Sequence, residues 1–177
     1  LSSSSAASDV YKRQEYAGDY IDRKIIEEVQ SKYSGAQITK DMARRWKEQY
    51  SFVSTSTPES PVMVDFSIEG KAMTLDITDC IQNACESIVD PIVENIKKLI
   101  AGSNPEYHDQ FRRNMILAGG GSGIVGLGAM IERRLSDLGD VNVHVVDDPV
   151  RLGAMGGLRL AMEVPEEMWK NLTLASR

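Results

Sequence analysis

The run "MILAGGGSGIVGLG" at residues 115–128 decides how this chain is read. Gly121, Gly123 and Gly126 satisfy G-x-G-x-x-G, an apolar run leads into them and a helix-like run follows. A strand-like "VNVHVVDD" then ends in acids about 20 residues later, the distance at which dinucleotide folds place a ribose-binding carboxylate. Glycines in such a loop let backbone N–H groups come close to a ligand, and the helix that follows offers its positive N-terminus. Three readings share these residues: the phosphate turn of a dinucleotide domain, a loop holding the adenosine end of ATP, or close packing of a strand on a helix.

Placement argues against the dinucleotide reading. That fingerprint normally lies on the first strand, with several βα units after it to complete the sheet. Here it comes late, after a helix pair and a hairpin. The triple Gly119-Gly120-Gly121 with Ser122 exceeds the fingerprint, and Asp147-Asp148 runs into Pro149, which favours a turn over a ribose clamp.

The 177 residues are 42% hydrophobic, enough for a sizeable core and suited to one domain or one lobe of a larger protein. The net charge of −6, with no dense Lys/Arg block, argues against nucleic acid or an anionic membrane as main partner. No apolar run is long enough to span a bilayer and no secretory signal opens the chain, so direct membrane insertion is not expected and a cytoplasmic location is. Cys80 and Cys85 are too few for a disulfide framework or a zinc set and read as buried thiols. With His108 and His144 the only histidines, no metal site of the chain's own is expected. The opening "LSSSSAASDVYKRQ", residues 1–14, resembles a non-native or disordered leader, so the folded part is expected from Glu15.

Periodicity gives the elements. Ile21, Ile25, Val29 and Tyr33 recur at helical spacing, and a second helix, "KDMARRWKEQYSFV", follows an N-cap at Thr39, with Trp46 and Tyr50 on its core side. "VMVDFSI" and "KAMTLDI", joined by Glu69-Gly70, read as a hairpin. Thr78 is the expected cap of a long helix that Pro91 must kink or interrupt, with Gly102 as its terminator. "NMILA" is a buried strand, "IVGLGAMIERRLSDLG" a helix ending at Gly139, "VNVHVV" a second strand, and "RLGAMGGLRLAMEV" a closing helix. The sum is an α/β layer preceded by a helix pair and hairpin.

At this point the residues resemble a family. "MILAGGGSGIVGLGAMIERRL" is similar to the adenosine motif of the actin-like ATPases, the superfamily of actin, the bacterial rod-shape proteins and the heat-shock chaperone ATPases. "YAGDYIDRKI" resembles the glycine turn and helix after the family's second phosphate loop, and "DDPVRLGAMGGLRLA" its closing Asp-Pro and small-residue helix. "EQYSFV", "GKAMTLDITDCIQNACE", "PEYHDQ" and "VPEEMW" point to the bacterial filament-forming branch that organises magnetosome chains.

The resemblance implies an α/β fold, the second lobe of an actin-like (ribonuclease H-like) ATPase, with a nucleotide-flanking helix pair and β-hairpin inserted at about residues 36–77. It implies ATP and Mg in the cleft between lobes, self-association into filaments, and organelle or membrane adaptor proteins as partners. Gly119, Gly120, Gly121 and Ser122 would line the α-phosphate and ribose. "RRWKEQYSFV" would bring Arg44, Lys47 and Glu48 to the base and ribose, and Gly18 would relieve a tight turn near the phosphates. The phosphate hairpins and the group orienting the attacking water belong upstream, so no catalytic residue is assigned here. Gly123 departs from the chaperones, which carry an Arg packed on the adenine. A chaperone ATPase fragment, a nicotinamide-dependent oxidoreductase fragment and a scaffold with a degenerate pocket remain the alternatives. Read residue by residue, Lys47 and Glu48 could form a solvated helix face, Arg44 a surface salt bridge, and Asp22 a local cap or pair.

Overall fold

The computed structural model describes residues 18–148, 151–165 and 168. The leader expectation for residues 1–14, and the ends of the "DDP" and "VPEEMW" motifs at Pro149 and Trp169, lie outside the described residues.

Helix α1 (Gly18–Lys32) buries Ile21, Ile25 and Val29, the stripe that its spacing predicts. Helix α2 (Lys40–Tyr50) starts at Thr39, whose hydroxyl accepts the Met42 N–H at 3.2 Å, and buries Ala43 and Trp46. Between them the two-residue strand β1 (Ala36–Gln37) pairs antiparallel with β2 (Met63–Ile68), a strand too short for any periodicity to announce. β2 pairs with β3 (Lys71–Asp76) as the expected hairpin; Glu69 at φ 49° and Gly70 at φ 81° supply the positive dihedrals of a tight two-residue turn. Val64 and Phe66 point inward from β2, and the Phe66 ring centroid lies 5.8 Å from that of Tyr33 and 5.9 Å from that of Trp46.

The long helix is two helices, α3 (Thr78–Glu86) and α4 (Val89–Ala101). The break falls at Ser87-Ile88, before Pro91, so the proline sits in the first turn of α4, where its missing N–H has no intrahelical acceptor to lose. Thr78 is not the cap: it is the first residue of α3, its hydroxyl accepts the Val62 N–H at 2.8 Å, and its own N–H donates to Asp76 Oδ1 at 2.9 Å. The Thr78 hydroxyl also donates to Asp76 Oδ1, and that bond, with the one from the N–H, holds the Asp76 carboxyl below its usual range. Gly102 does end α4, with an ordinary right-handed φ of −82°.

After α5 (His108–Arg113), the strand β4 (Met115–Leu117) runs parallel to β5 (Val143–Val145), pairing Met115 with Val143 and Leu117 with Val145. Helix α6 (Leu127–Arg134) crosses between them and packs on β5 and α4. It is shorter than expected: a separate 3-10 turn at Ser136–Leu138 leads to Gly139, whose φ is 101°. Helix α7 (Leu152–Glu163) is exposed along its length, and Ile116 on the open face of the parallel pair is 71% exposed. A parallel sheet is ordinarily covered on both faces.

One continuous core joins α1, α2 and β2 to α3, α4 and α6. Cys80 and Cys85 are free thiols within it, and burial pushes Cys85 up to about 11 and Cys80 in the same direction. Iodoacetamide at about pH 8 should therefore modify Cys85 only after denaturant is added, because the reactive thiolate is absent below the raised pKa. Equal labelling of folded and unfolded protein, read by mass, would refute this assignment.

Candidate functional site

The glycine loop leaves the C-terminal end of β4 and closes into a 3-10 turn at Gly120–Gly123 before α6. Within it the glycines divide into two groups. A Cβ built on Gly119, Gly120, Gly121 or Gly123 would meet nothing within 4 Å. A Cβ on Gly126 would stand 2.6 Å from Thr55 Oγ1 and 2.7 Å from Ser56 Oγ, and one on Gly128 would lie 3.0 Å from Val145 Cγ2. Close packing thus accounts for Gly126 and Gly128, while the four earlier glycines form an open cradle. Two of the six need glycine for their backbone: φ is 91° at Gly119 and 83° at Gly126.

Ser122 differs from its neighbours. It is 4% exposed, and its hydroxyl donates to Gly119 O at 2.7 Å while its N–H reaches the same carbonyl at 3.0 Å. The hydroxyl shapes the loop from inside rather than facing outward. Beside the loop a notch of about 400 Å³ opens between α6 and the end of β5, lined in part by Gly123, Gly128, Glu132 and Asp147. Glu132 is committed there, accepting the Val143 N–H at 2.7 Å.

The segment after α2 is stitched to the loop. Val125 N–H donates to Ser51 O and Val53 N–H to Val125 O, each at 3.1 Å, and Thr55 Oγ1 donates to Gly126 O at 2.9 Å. Phe52 and Val125 thereby form a parallel bridge. Nothing in the sequence signals this clamp, since its halves lie 71 residues apart. It brings the C-terminal end of α2, which carries Arg44, Lys47 and Glu48, to the C-terminal end of the glycine loop. Among the described residues no hydrogen bond or ion pair joins those three side chains directly to Gly119–Ser122.

Arg44 Nε and Glu48 Oε1 lie 3.8 Å apart as an i,i+4 pair with both side chains exposed. Such a pair contributes about 0.3–0.5 kcal/mol, so either partner is readily recruited elsewhere. Lys47 is held firmly instead. Its ammonium stands 2.6 Å from Asp22 Oδ1 and donates to Gly18 O at 2.9 Å. Among the described residues Asp22 has no local partner; it pairs across to a second helix. A Cβ on Gly18, the first described residue of α1, would come 3.0 Å from Lys47 Nζ, so the glycine makes room for the ammonium; the turn expected before it lies outside the described residues.

Among the described residues no group of three or more His, Cys, Asp or Glu could hold a metal, and no helix is long and apolar enough to cross a membrane.

Known proteins with these features are actin-like. The family model described as Salactin matches residues 6–165. The actin-like protein MamK of Paramagnetospirillum magneticum is 36% identical over 156 residues, 88% of this chain and 44% of that protein. MamK of Magnetospirillum gryphiswaldense is 34% identical over 88% of the chain and 43% of its own length. Among solved structures, a non-polymerising MamK mutant bound to AMPPNP matches with a TM-score of 0.76 at 37% identity, covering 83% of this chain and 45% of that one. A MamK double helical filament matches with a TM-score of 0.77 at 37% identity, covering 84% and 45%. The chain spans about half the length of the curated relatives it matches. Neither the chaperone nor the oxidoreductase alternative has a counterpart among the relatives named. The fold, the open glycine cradle on a parallel strand and these matches together establish that the chain belongs to the Salactin family of actin-like proteins.

Proposed function

We propose that this chain is the nucleotide-binding second lobe of a bacterial actin-like filament protein, one that assembles with ATP and disassembles after hydrolysis. The observation carrying the proposal is the cradle. At Gly120, Gly121 and Gly123 neither a crowded Cβ nor a positive φ calls for glycine, which leaves close approach of a ligand as the physical reason for it. One solved relative of this fold is bound to AMPPNP, an adenine nucleotide analogue.

In this reading the backbone of Gly119, Gly120, Gly121 and Ser122 lines the α-phosphate and ribose, and Arg44, Lys47 and Glu48 flank the base and ribose from α2. Mg comes with the phosphates and is held from the first lobe. Filament switching follows if ATP favours the closed, assembling state over the open one by differential affinity. Such filaments position organelles such as magnetosomes or control cell shape in the cytoplasm, through adaptor proteins.

The test is Gly120→Leu in the full-length polypeptide. Because the site is open and the φ ordinary, stability should change by no more than about 0.5 kcal/mol. ATP-dependent sedimentation of filaments should be lost. Unchanged assembly with Mg-ATP would favour the scaffold with a degenerate pocket.

A further inference from the structure

Asp22 is the one charged side chain of the described residues buried to 0% exposure, and neither of its carboxylate oxygens has a hydrogen bond. Lys47 Nζ stands 2.6 Å from Oδ1 as an ion pair, while the same ammonium donates to Gly18 O. Burying a carboxylate costs several kcal/mol, and an apolar replacement of such a pair is often neutral or stabilising. The arrangement is therefore poorly explained by stability. What it does achieve is to immobilise an ammonium that a four-carbon stem would otherwise leave free, at a side chain only 16% exposed.

We propose that Asp22 is a positioning residue for nucleotide binding: it holds the Lys47 ammonium against the Gly18 carbonyl so that a further N–H points at a neutral acceptor on the nucleoside, a ribose hydroxyl or base nitrogen. This rests on the nucleotide reading above. The pair has no net charge, so it offers a directed donor without the positive field that attracts phosphate. Holding the lysine before the ligand arrives removes the rotamer entropy that binding would otherwise cost. The small residue at position 18 belongs to the same device, since a Cβ there would crowd the ammonium.

The test uses the full-length polypeptide below its assembly concentration, titrated calorimetrically with Mg-ATP and, separately, with inorganic tripolyphosphate. Asp22→Asn is expected to weaken ATP about tenfold, the effect of one charge-assisted hydrogen bond, and not to weaken tripolyphosphate, which the uncovered Lys47 charge can only attract more. The double variant D22N/K47M, which removes both charges together and so protects the fold, should bind ATP no more than about twofold differently from D22N if Asp22 acts through Lys47. Equal losses for ATP and tripolyphosphate in D22N would mean a general disturbance and overturn the proposal. Loss in the double variant but not in D22N would also overturn it, while leaving Lys47 as a nucleotide contact. Parent-like ATP binding by the double variant would remove Lys47 from the site, and failure of the parent to bind ATP would overturn the nucleotide reading itself.

Discussion

Gly126→Ala is expected to destabilise the protein by about 2–5 kcal/mol, the sum of a left-handed dihedral and an overpacked contact. Gly126 sits at φ 83°, and the added methyl would lie 2.6 and 2.7 Å from the hydroxyl oxygens of Thr55 and Ser56. Those hydroxyls cannot simply swing away without cost, because Thr55 Oγ1 donates to the carbonyl of the same glycine. Gly119→Ala is the internal control: its φ of 91° carries the strain, but its Cβ would meet nothing. It should cost about 1–3 kcal/mol and no more. Denaturant midpoints of the two variants decide the matter; equal losses would show that the 54–56 turn does not press on the loop.

The second large effect is expected at Lys47. Lys47→Met strands the Asp22 carboxylate in the core with no counter-charge, a change that costs about 3–5 kcal/mol where only one partner of a buried pair is removed. Adding Asp22→Asn should restore most of that loss, because the neutral amide no longer demands an ion, and a folded double variant is what makes the binding titrations interpretable. If K47M alone is as stable as the parent, the ammonium at 2.6 Å is not compensating Asp22 and the pair has been misassigned.

The lysine illustrates how a site can be half legible. Its place on α2 followed from spacing and from the resemblance of "RRWKEQYSFV" to the family's base-flanking helix. Its partner was not legible, because Asp22 lies 25 positions away and the local alternatives, capping or an i,i+4 pair, are all that sequence separation can suggest. Gly18 was singled out for backbone freedom; that it also leaves room for the Lys47 ammonium was not legible, because what a Cβ would meet depends on a residue 29 positions away.

Thr78 and Pro91 show the same division within the fold. A threonine before a helical run is a reasonable cap, yet the hydroxyl serves Val62, on the strand-entry segment 16 residues earlier; of the kink or interruption expected at Pro91 the structure has the interruption, placed just upstream so that Pro91 falls in the first turn of the second helix.

What the sequence determined by itself is what depends on near neighbours and periodicity. The two amphipathic helices, the Glu69-Gly70 hairpin turn, the buried thiols and the strand–glycine loop–helix unit all arise from residues within a few positions of one another. So does the family resemblance, since it rests on contiguous motifs. The tertiary structure alone decided which glycines are open and which are packed, that the 51–56 segment clamps the loop at Val125 and Gly126, and that Asp22 holds Lys47. The reason is common to all three: each is a contact between elements distant in the chain, set by how one continuous core assembles, and side-chain spacing along a single element carries no information about what lies across it.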